Sequence, residues 1–445
     1  MYILKKIFIK YPLFIRLISY WLIWISYLYF MQDFSPLGVT WLNWHEERIF
    51  NFVEFLKLNG YFSFYGYSIW NECINCNLAS SQWLDQIYVS QHFISFAPHI
   101  LLNHLFGKEA FLYFGPIIDK TAIFIAAAAL SELSREMLKK NSKLPLYIVS
   151  ILCFSLFSLN PWTYKMLVGP WIEIYFLMFF LLGLLAFNNS FSRFGLIFFF
   201  FAALAQYQWA FLISAFYLFI IIWSVSLKNH QLIKDYFPGP ANNLQMSSKI
   251  VLSLLVPTLG IILLRIIAQS YLGDVSGSSL LYRIGITGVD IHNGGLLGAL
   301  QFLGGNRITN CLNGIEFSIL SSDLNMKISL FNCILSIGSM LIISIISVTG
   351  IAMLLRTILS SRTVILPLLF SFLTMLCILQ QSFSVHLMGY SYIFGALFAM
   401  GLTAICALSF NSVQSSIIRL IFVGPIAFGI IIASIRVSML TGING

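Results

Sequence analysis

Two adjacent carboxylates, Glu46 and Glu47, stand between His45 and Arg48 in the stretch Trp41-Leu42-Asn43-Trp44-His45-Glu46-Glu47-Arg48-Ile49-Phe50. Side chains of these types carry protons and hold charge, so the stretch is a candidate for acid–base chemistry. Its surroundings make it conspicuous. Of 445 residues only 9% are charged, while 59% are hydrophobic and 16% aromatic. Soluble domains carry about a quarter charged residues, and a mean hydropathy of +0.88 lies far from theirs. The composition is that of an all-α polytopic membrane protein.

The elements that must position the carboxylates follow from the apolar runs. The run from about Leu13 to Phe30 has no small-residue cleavage site and is long enough to span, so it reads as a first transmembrane helix and not a signal peptide. Further runs recur near 111–130, 144–160, 172–187, 194–206, 208–226, 250–268, 328–355, 364–380, 390–410 and 418–435. This predicts about eleven spans in a single transmembrane domain over 1–445. The stretch Phe194–Val225 is too long for one helix, and Gln206-Tyr207-Gln208 reads as a turn between two.

Cations orient this scheme. With the N-terminus cytoplasmic and the C-terminus extracytoplasmic, the inner segments hold Lys5, Lys6, Lys10, Arg16, Arg135, Lys139, Lys140, Lys143, Arg193, Lys228, Lys234, Lys249, Arg356, Arg362 and Arg419. Carboxylates divide the other way. Glu132, Glu136 and Asp235 are inner; the rest, among them Asp85, Asp119 and Glu173, are outer, as are His45, His92, His99, His104, His292 and His386. Acidic residues do not set topology, so the polar chemistry belongs to the outer face. The net charge of +9 is then a topogenic signal with an attraction to anionic lipid, and no nucleic-acid role is expected.

Two outer connections are long, 31–110 and 270–327, and loops of that length have structure and function of their own. The inner connection 227–249, with Pro238-Gly239-Pro240-Ala241-Asn242-Asn243, reads as a plain polar linker. Cys153, Cys333, Cys377 and Cys406 lie in spans as small core residues. Cys73, Cys76 and Cys311 lie in the outer loops, where an oxidising compartment would allow two of them to pair. One C-x-x-C without a second pair is a weak zinc signal.

From Glu46 the sequence reads as an amphipathic helix. Ile49, Phe52, Val53 and Leu56 fall on one side, Glu47, Asn51 and Glu54 on the other, and Gly60 ends it. Such a helix lies in the membrane interface with its apolar side toward lipid. The plain reading of Glu46 and Glu47 is a pair of charges that favours the helix N-terminus.

A resemblance adds a second reading. In the GT-C superfamily of integral-membrane glycosyltransferases a helix ends outside and is followed by D-E-x-x-(Y/F), an interfacial helix and a Gly-aromatic turn. Glu46-Glu47-Arg48-Ile49-Phe50, the helix after it and Gly60-Tyr61 resemble that order. "SQHFISFAPHILLNHLFGKEAF" is similar to the family's return to the membrane, a helix leading to an LFG turn before the second span. "LNPWTYKMLVGPWIEIYF" resembles an outer Asn-Pro turn followed by an acid, Glu173. The resemblance covers roughly residues 15–190. It departs where the family's first acid is usually Asp, since Glu46 is one methylene longer and would need a different backbone position.

The resemblance implies transfer of a sugar from a polyprenyl-phosphate donor to a lipid, glycan or protein acceptor on the outer face, with inversion at the anomeric carbon. Glu46 would be the general base and Glu47 the neighbour that orients it or the acceptor. Arg265 and Arg436, near outer ends of their spans, are costly in lipid and would neutralise the leaving phosphate, unless they only snorkel to headgroups. Arg283 and Arg307 in the second outer loop are further candidates for the donor phosphate. Glu173 and Asp85 stand behind the first pair. No cofactor is expected; a divalent cation, Mg or Mn, is not favoured, because the acid at 173 lacks the D-x-E pattern of metal-dependent oligosaccharyltransferases. The location expected is a bacterial inner membrane. The rival readings are a lipid or polysaccharide transporter or flippase, which would need polar residues and broken helices within the spans, and a polysaccharide polymerase or ligase.

Overall fold

A computed structural model describes residues 12–33, 51, 53–60, 68–69, 87–88, 93–159, 173–239, 243–272, 342, 344–378 and 383–412. These residues are overwhelmingly helical. In chain order the helices are α1 Pro12–Asp33, α2 Ala97–Leu138, α3 Leu146–Ser158, α4 Glu173–Asn188, α5 Ser192–Ala205, α6 Tyr207–Ser226, α7 Gln231–Tyr236, α8 Leu244–Leu272, α9 Ser344–Thr357, α10 Arg362–Ile378 and α11 Phe383–Ser412. Apart from α7, each overlaps an expected span; residues 328–341 of the span expected at 328–355, and the whole of the one expected at 418–435, lie outside the described residues. One feature departs from an all-helical fold. Ser68 and Ile69 pair antiparallel with Tyr88 and Ile87, a two-residue ladder within the first long loop.

Among the described residues three helices are long and apolar enough to cross a membrane, within Tyr207–Ser226, Leu244–Ala268 and Tyr392–Ser409. Their exposed faces say what solvent they suit. On α8, Leu252, Val256, Leu259, Leu263 and Ile266 repeat at spacings of four and three and are all exposed. A helix in water would turn that stripe to the core. The apolar helices are therefore those of an integral membrane protein.

The core lies among α2, α3, α4, α5 and α11. α2 packs on α3 and α4, α4 on α5, α11 on α3, and α8 along both α5 and α6, while α10 packs on α6. Without a hydrophobic drive between helices in lipid, close backbone approach and polar side chains hold such contacts. α9 and α11 cross at Gly350 and Gly401, where Ser347 Oγ donates to Phe398 O at 3.1 Å. Across α1 and α2, Arg16 forms a fork on Glu132, Nε to Oε1 at 2.7 Å and Nη2 to Oε2 at 2.8 Å. Tyr20 and Arg135 also donate to Glu132, at 2.9 Å each. Arg16 is thus one half of a buried pair, not only a topogenic charge.

Helix ends at the lysine-rich side, called here the basic end, are sharply defined. α4 closes with a Schellman motif, Phe191 N–H to Ala186 O at 2.8 Å and Ser190 N–H to Phe187 O at 3.1 Å, with Ser190 at φ 66°. α6 closes the same way through Lys228 at φ 51°. Asn243 Oδ1 accepts the N–H of Met246 at 2.8 Å and caps α8. The connection 227–249 is more than a plain linker, a correction to the sequence reading. It contains α7, buries Ile233 and Phe237, and stacks Phe237 on Tyr217 with ring centroids 4.7 Å apart. The periodicity over six residues is too short to separate a helix from a loop.

Candidate functional site

At the end opposite the lysines, polar side chains from several elements are buried together. The construction begins with residues 97–106, where His99 and Asn103 are four apart and share a face. Both are buried, at 1% and 0% exposure, while Leu101 and Leu105 on the other side are exposed. Polar side chains inside and apolar ones outside is the pattern lipid imposes.

Gly107 then breaks α2, with φ 81° and ψ −174°. That conformation belongs to glycine. On an unbroken helix His99 and Asp119 would be about 30 Å apart. The break folds 97–106 back so that His99 Nε2 lies 3.2 Å from Asp119 Oδ2. Gly115, one turn before Asp119, faces the imidazole: a Cβ there would meet His99 Cδ2 at 3.7 Å, an ordinary contact. From α4, Tyr175 donates to the other carboxylate oxygen, Oδ1, at 2.6 Å.

The elements flanking this pair are tied to it. Asn103 Nδ2 donates to Glu54 Oε1 at 2.7 Å, which fastens the helical stretch 53–59 to α2. Gly60 follows that stretch at φ 93°, as its place after the helix predicts. Val53 and Leu56 are fully buried in the core, so the apolar side of this stretch rests on protein instead of lipid. The periodicity showed an apolar side and could not name what covers it.

Ser95, in the 3₁₀ turn Phe93–Phe96, donates to Leu204 O at 3.2 Å in the last turn of α5. Two residues on, Gln206 takes an extended conformation and separates α5 from α6, as the sequence predicts. Tyr207 opens α6, and Arg265 Nη1 donates to its hydroxyl at 2.5 Å. Arg265 is therefore a half-buried cation held against the α5–α6 tip, not a side chain that merely reaches outward.

Depth follows from helix rise. Counted from the basic end, Tyr175 and Gln206 lie about 20 Å along α4 and α5, Asp119 about 28 Å along α2 and Arg265 about 31 Å along α8. A bilayer core is about 30 Å thick. Counted this way, the layer lies more than half of that thickness from the basic end.

Of the site residues expected from sequence, Arg265 falls in this layer. Glu173 begins α4 two residues before Tyr175, with its side chain outside the described residues. Glu46, Glu47, Asp85, Arg283, Arg307 and Arg436 lie outside the described residues altogether, as do Cys73, Cys76 and Cys311. Among the described residues no three His, Cys, Asp or Glu side chains converge as a metal set. The sequence reading did not single out Asn103, Tyr175 and Tyr207, and treated His99 and Asp119 only as members of an outer set. Two signals pointed to them: the i, i+4 polar pair inside "HILLNHLF", and an aspartate inside the run 111–130.

No family model matches the chain, and no curated protein sequence matches it. Among solved structures it is similar to the crystal structure of the Archaeoglobus fulgidus oligosaccharyltransferase tethered through a disulfide bond to an acceptor peptide containing the NVT sequon, with 15% sequence identity and a TM-score of 0.47. The alignment covers 98% of this chain and 56% of that one, so the chain spans a little over half of that protein's length.

Proposed function

We propose that this protein is a membrane glycosyltransferase of GT-C type, which moves a sugar from a polyprenyl-phosphate donor to an acceptor on the extracytoplasmic face with inversion. The observation that carries the reading is Arg265, an arginine held by Tyr207 at the end opposite the lysines, a cation of the kind a lipid-linked phosphate requires. The motif order in residues 46–61 and 90–111 supports it, and so does the fastening of stretch 53–59, which follows Glu46 and Glu47, to Asn103 at that same end.

In this mechanism the Glu46 carboxylate takes the proton of an acceptor hydroxyl as its oxygen bonds to the anomeric carbon. The bond from that carbon to the phosphate oxygen breaks on the opposite side, and its electron pair leaves with the polyprenyl phosphate. Glu47 orients the acceptor. Arg265, with Arg436, Arg283 and Arg307, offsets the charge that grows on the leaving group.

The test is sugar transfer in proteoliposomes from a panel of labelled polyprenyl-phosphate sugars, comparing the natural protein with Glu46→Gln and Arg265→Gln, each checked for insertion and monodisperse elution. Transfer by the natural protein, with a fall of about a hundredfold or more for Glu46→Gln, is the expected result; general-base groups contribute on that order. Equal rates for the two would remove Glu46 from the mechanism. No transfer from any donor would sink the enzyme reading.

One observation favours a second reading. The breaks at Gly107 and Gln206 and the buried Asp119–His99 pair are features that a lipid transporter needs at membrane depth. Movement of a fluorescent polyprenyl-phosphate analogue between leaflets, without any sugar transfer, would favour that reading.

A further inference from the structure

At the basic end lies a cavity of about 650 Å³ that neither the sugar-transfer chemistry nor the opposite polar layer uses. Its wall includes Lys139 and Lys140, just past the end of α2, and Lys234 on α7. Three lysines from two elements thus line one space. One lining carboxylate, Glu136, offsets them, and it is already engaged by Arg135 and, at 3.7 Å, by Lys139. The cavity therefore keeps a surplus of positive charge.

The walls are fixed to one another. Asn141 Nδ2 donates to Thr357 O at 3.5 Å, joining the end of α2 to the end of α9. Gly239, at φ 53°, lies so close to α4 that a Cβ would come within 2.4 Å of Phe187 O. Tyr217 donates to Thr363 O at 3.4 Å and stacks on Phe237, which also lines the space. The lysines are therefore presented by a set of braced elements. Apolar lining from Phe237, Ile358 and Leu359 stands beside them, with Leu359 exposed to the surroundings of the bundle. Charge beside an apolar flank suits an anion that carries a hydrocarbon tail better than a free ion.

We propose that this cavity is a binding site for the phosphate headgroup of an anionic phospholipid in the leaflet at the basic end, with Lys139, Lys140 and Lys234 as its ligands. Basic recesses between membrane helices on the cytoplasmic side take such headgroups. The proposal is independent of the sugar-transfer reading, since the site lies at the other end of the helices.

The test is native mass spectrometry of the full chain in detergent, titrated with phosphatidylglycerol, phosphatidylcholine and, separately, inorganic phosphate. The natural protein should bind phosphatidylglycerol at least tenfold more tightly than phosphatidylcholine. The triple variant Lys139→Gln, Lys140→Gln, Lys234→Gln should lose that preference, and the triple Lys-to-Arg variant should keep it. A control with Lys228→Gln and Lys249→Gln, two cations of the same end outside the cavity, should also keep it. Retained preference in the triple Gln variant would overturn the proposal, and an equal loss in the control would reduce it to a general effect of the basic end. Phosphate alone displacing the lipid at low millimolar concentration would overturn the lipid assignment. The three lysines are exposed, so unchanged thermal unfolding of each variant is expected and separates binding from folding.

Discussion

His99 and Asp119 meet at 3.2 Å within a single α2 because Gly107 turns the chain back between them. A side chain at 107 would have open space around it, since nothing lies within 4 Å of a Cβ there. The requirement for glycine is thus conformational, not steric. Backbone at φ 81° and ψ −174° is confined almost entirely to glycine and costs an L-residue about 1–3 kcal/mol. Gly107→Ala is expected to lower the thermal midpoint accordingly, and Gly107→Asn to lower it as much, because asparagine tolerates the left-handed helical region and not a ψ near 180°. An unchanged midpoint in the alanine variant would mean that the turn does not depend on φ 81°.

The carboxylate of Asp119 serves two partners, so its loss should cost more than the loss of either. Tyr175→Phe removes one donor to Oδ1. Asp119→Ala leaves both the Tyr175 hydroxyl and His99 facing a gap, and each buried polar group without its partner costs about 1–3 kcal/mol. The expected order of destabilisation is Asp119→Ala, then His99→Ala, then Tyr175→Phe, read from thermal unfolding in detergent. In the double variant Tyr175→Phe with Asp119→Ala, the tyrosine change should add little. Full additivity would show that the three do not act as a unit.

Which features the sequence revealed follows from how far apart the interacting residues lie. The break at Gln206 and the turn at Gly107 were legible because glycine, or a run of polar residues inside an apolar stretch, marks them locally. Gly60 was legible for the same reason. The partner of the 53–59 stretch was not, because an apolar face is equally compatible with lipid and with protein. Nor was the His99–Asp119–Tyr175 arrangement, which joins positions 20 and 56 apart. Arg16 and Glu132 are separated by 116 positions and entered the sequence reading as two unrelated charges.

Joining α1 to α2 through a buried pair makes a specific prediction. Removing one member of a buried ion pair costs about 3–5 kcal/mol, because the other charge is left in a poor solvent. Arg16→Met alone should therefore destabilise strongly, as should Glu132→Leu. Glu132→Leu should be the worse, since it also removes the acceptor of Tyr20 and one of the two carboxylates that Arg135 engages. The double variant should be less destabilised than the sum of the two, which a double-mutant cycle on the unfolding midpoint would register. Simple additivity would show that the fork contributes nothing.

Helix contact at Gly350 and Gly401 offers the sharpest contrast. A Cβ at Gly350 would come within 1.9 Å of Gly401 O, and one at Gly401 within 2.2 Å of Ser347 O. Neither distance is tolerable, and backbone atoms cannot rotate away, so α9 and α11 would have to part. Gly260 on α8 is the internal control, because nothing lies within 4 Å of a Cβ there and its backbone is helical. Replacing a mid-helix glycine by alanine where space allows favours the helix by about 0.8–1 kcal/mol. Gly350→Ala and Gly401→Ala should therefore lower the unfolding midpoint, while Gly260→Ala raises it or leaves it unchanged. If all three behaved alike, backbone contact between α9 and α11 would not be what holds them together.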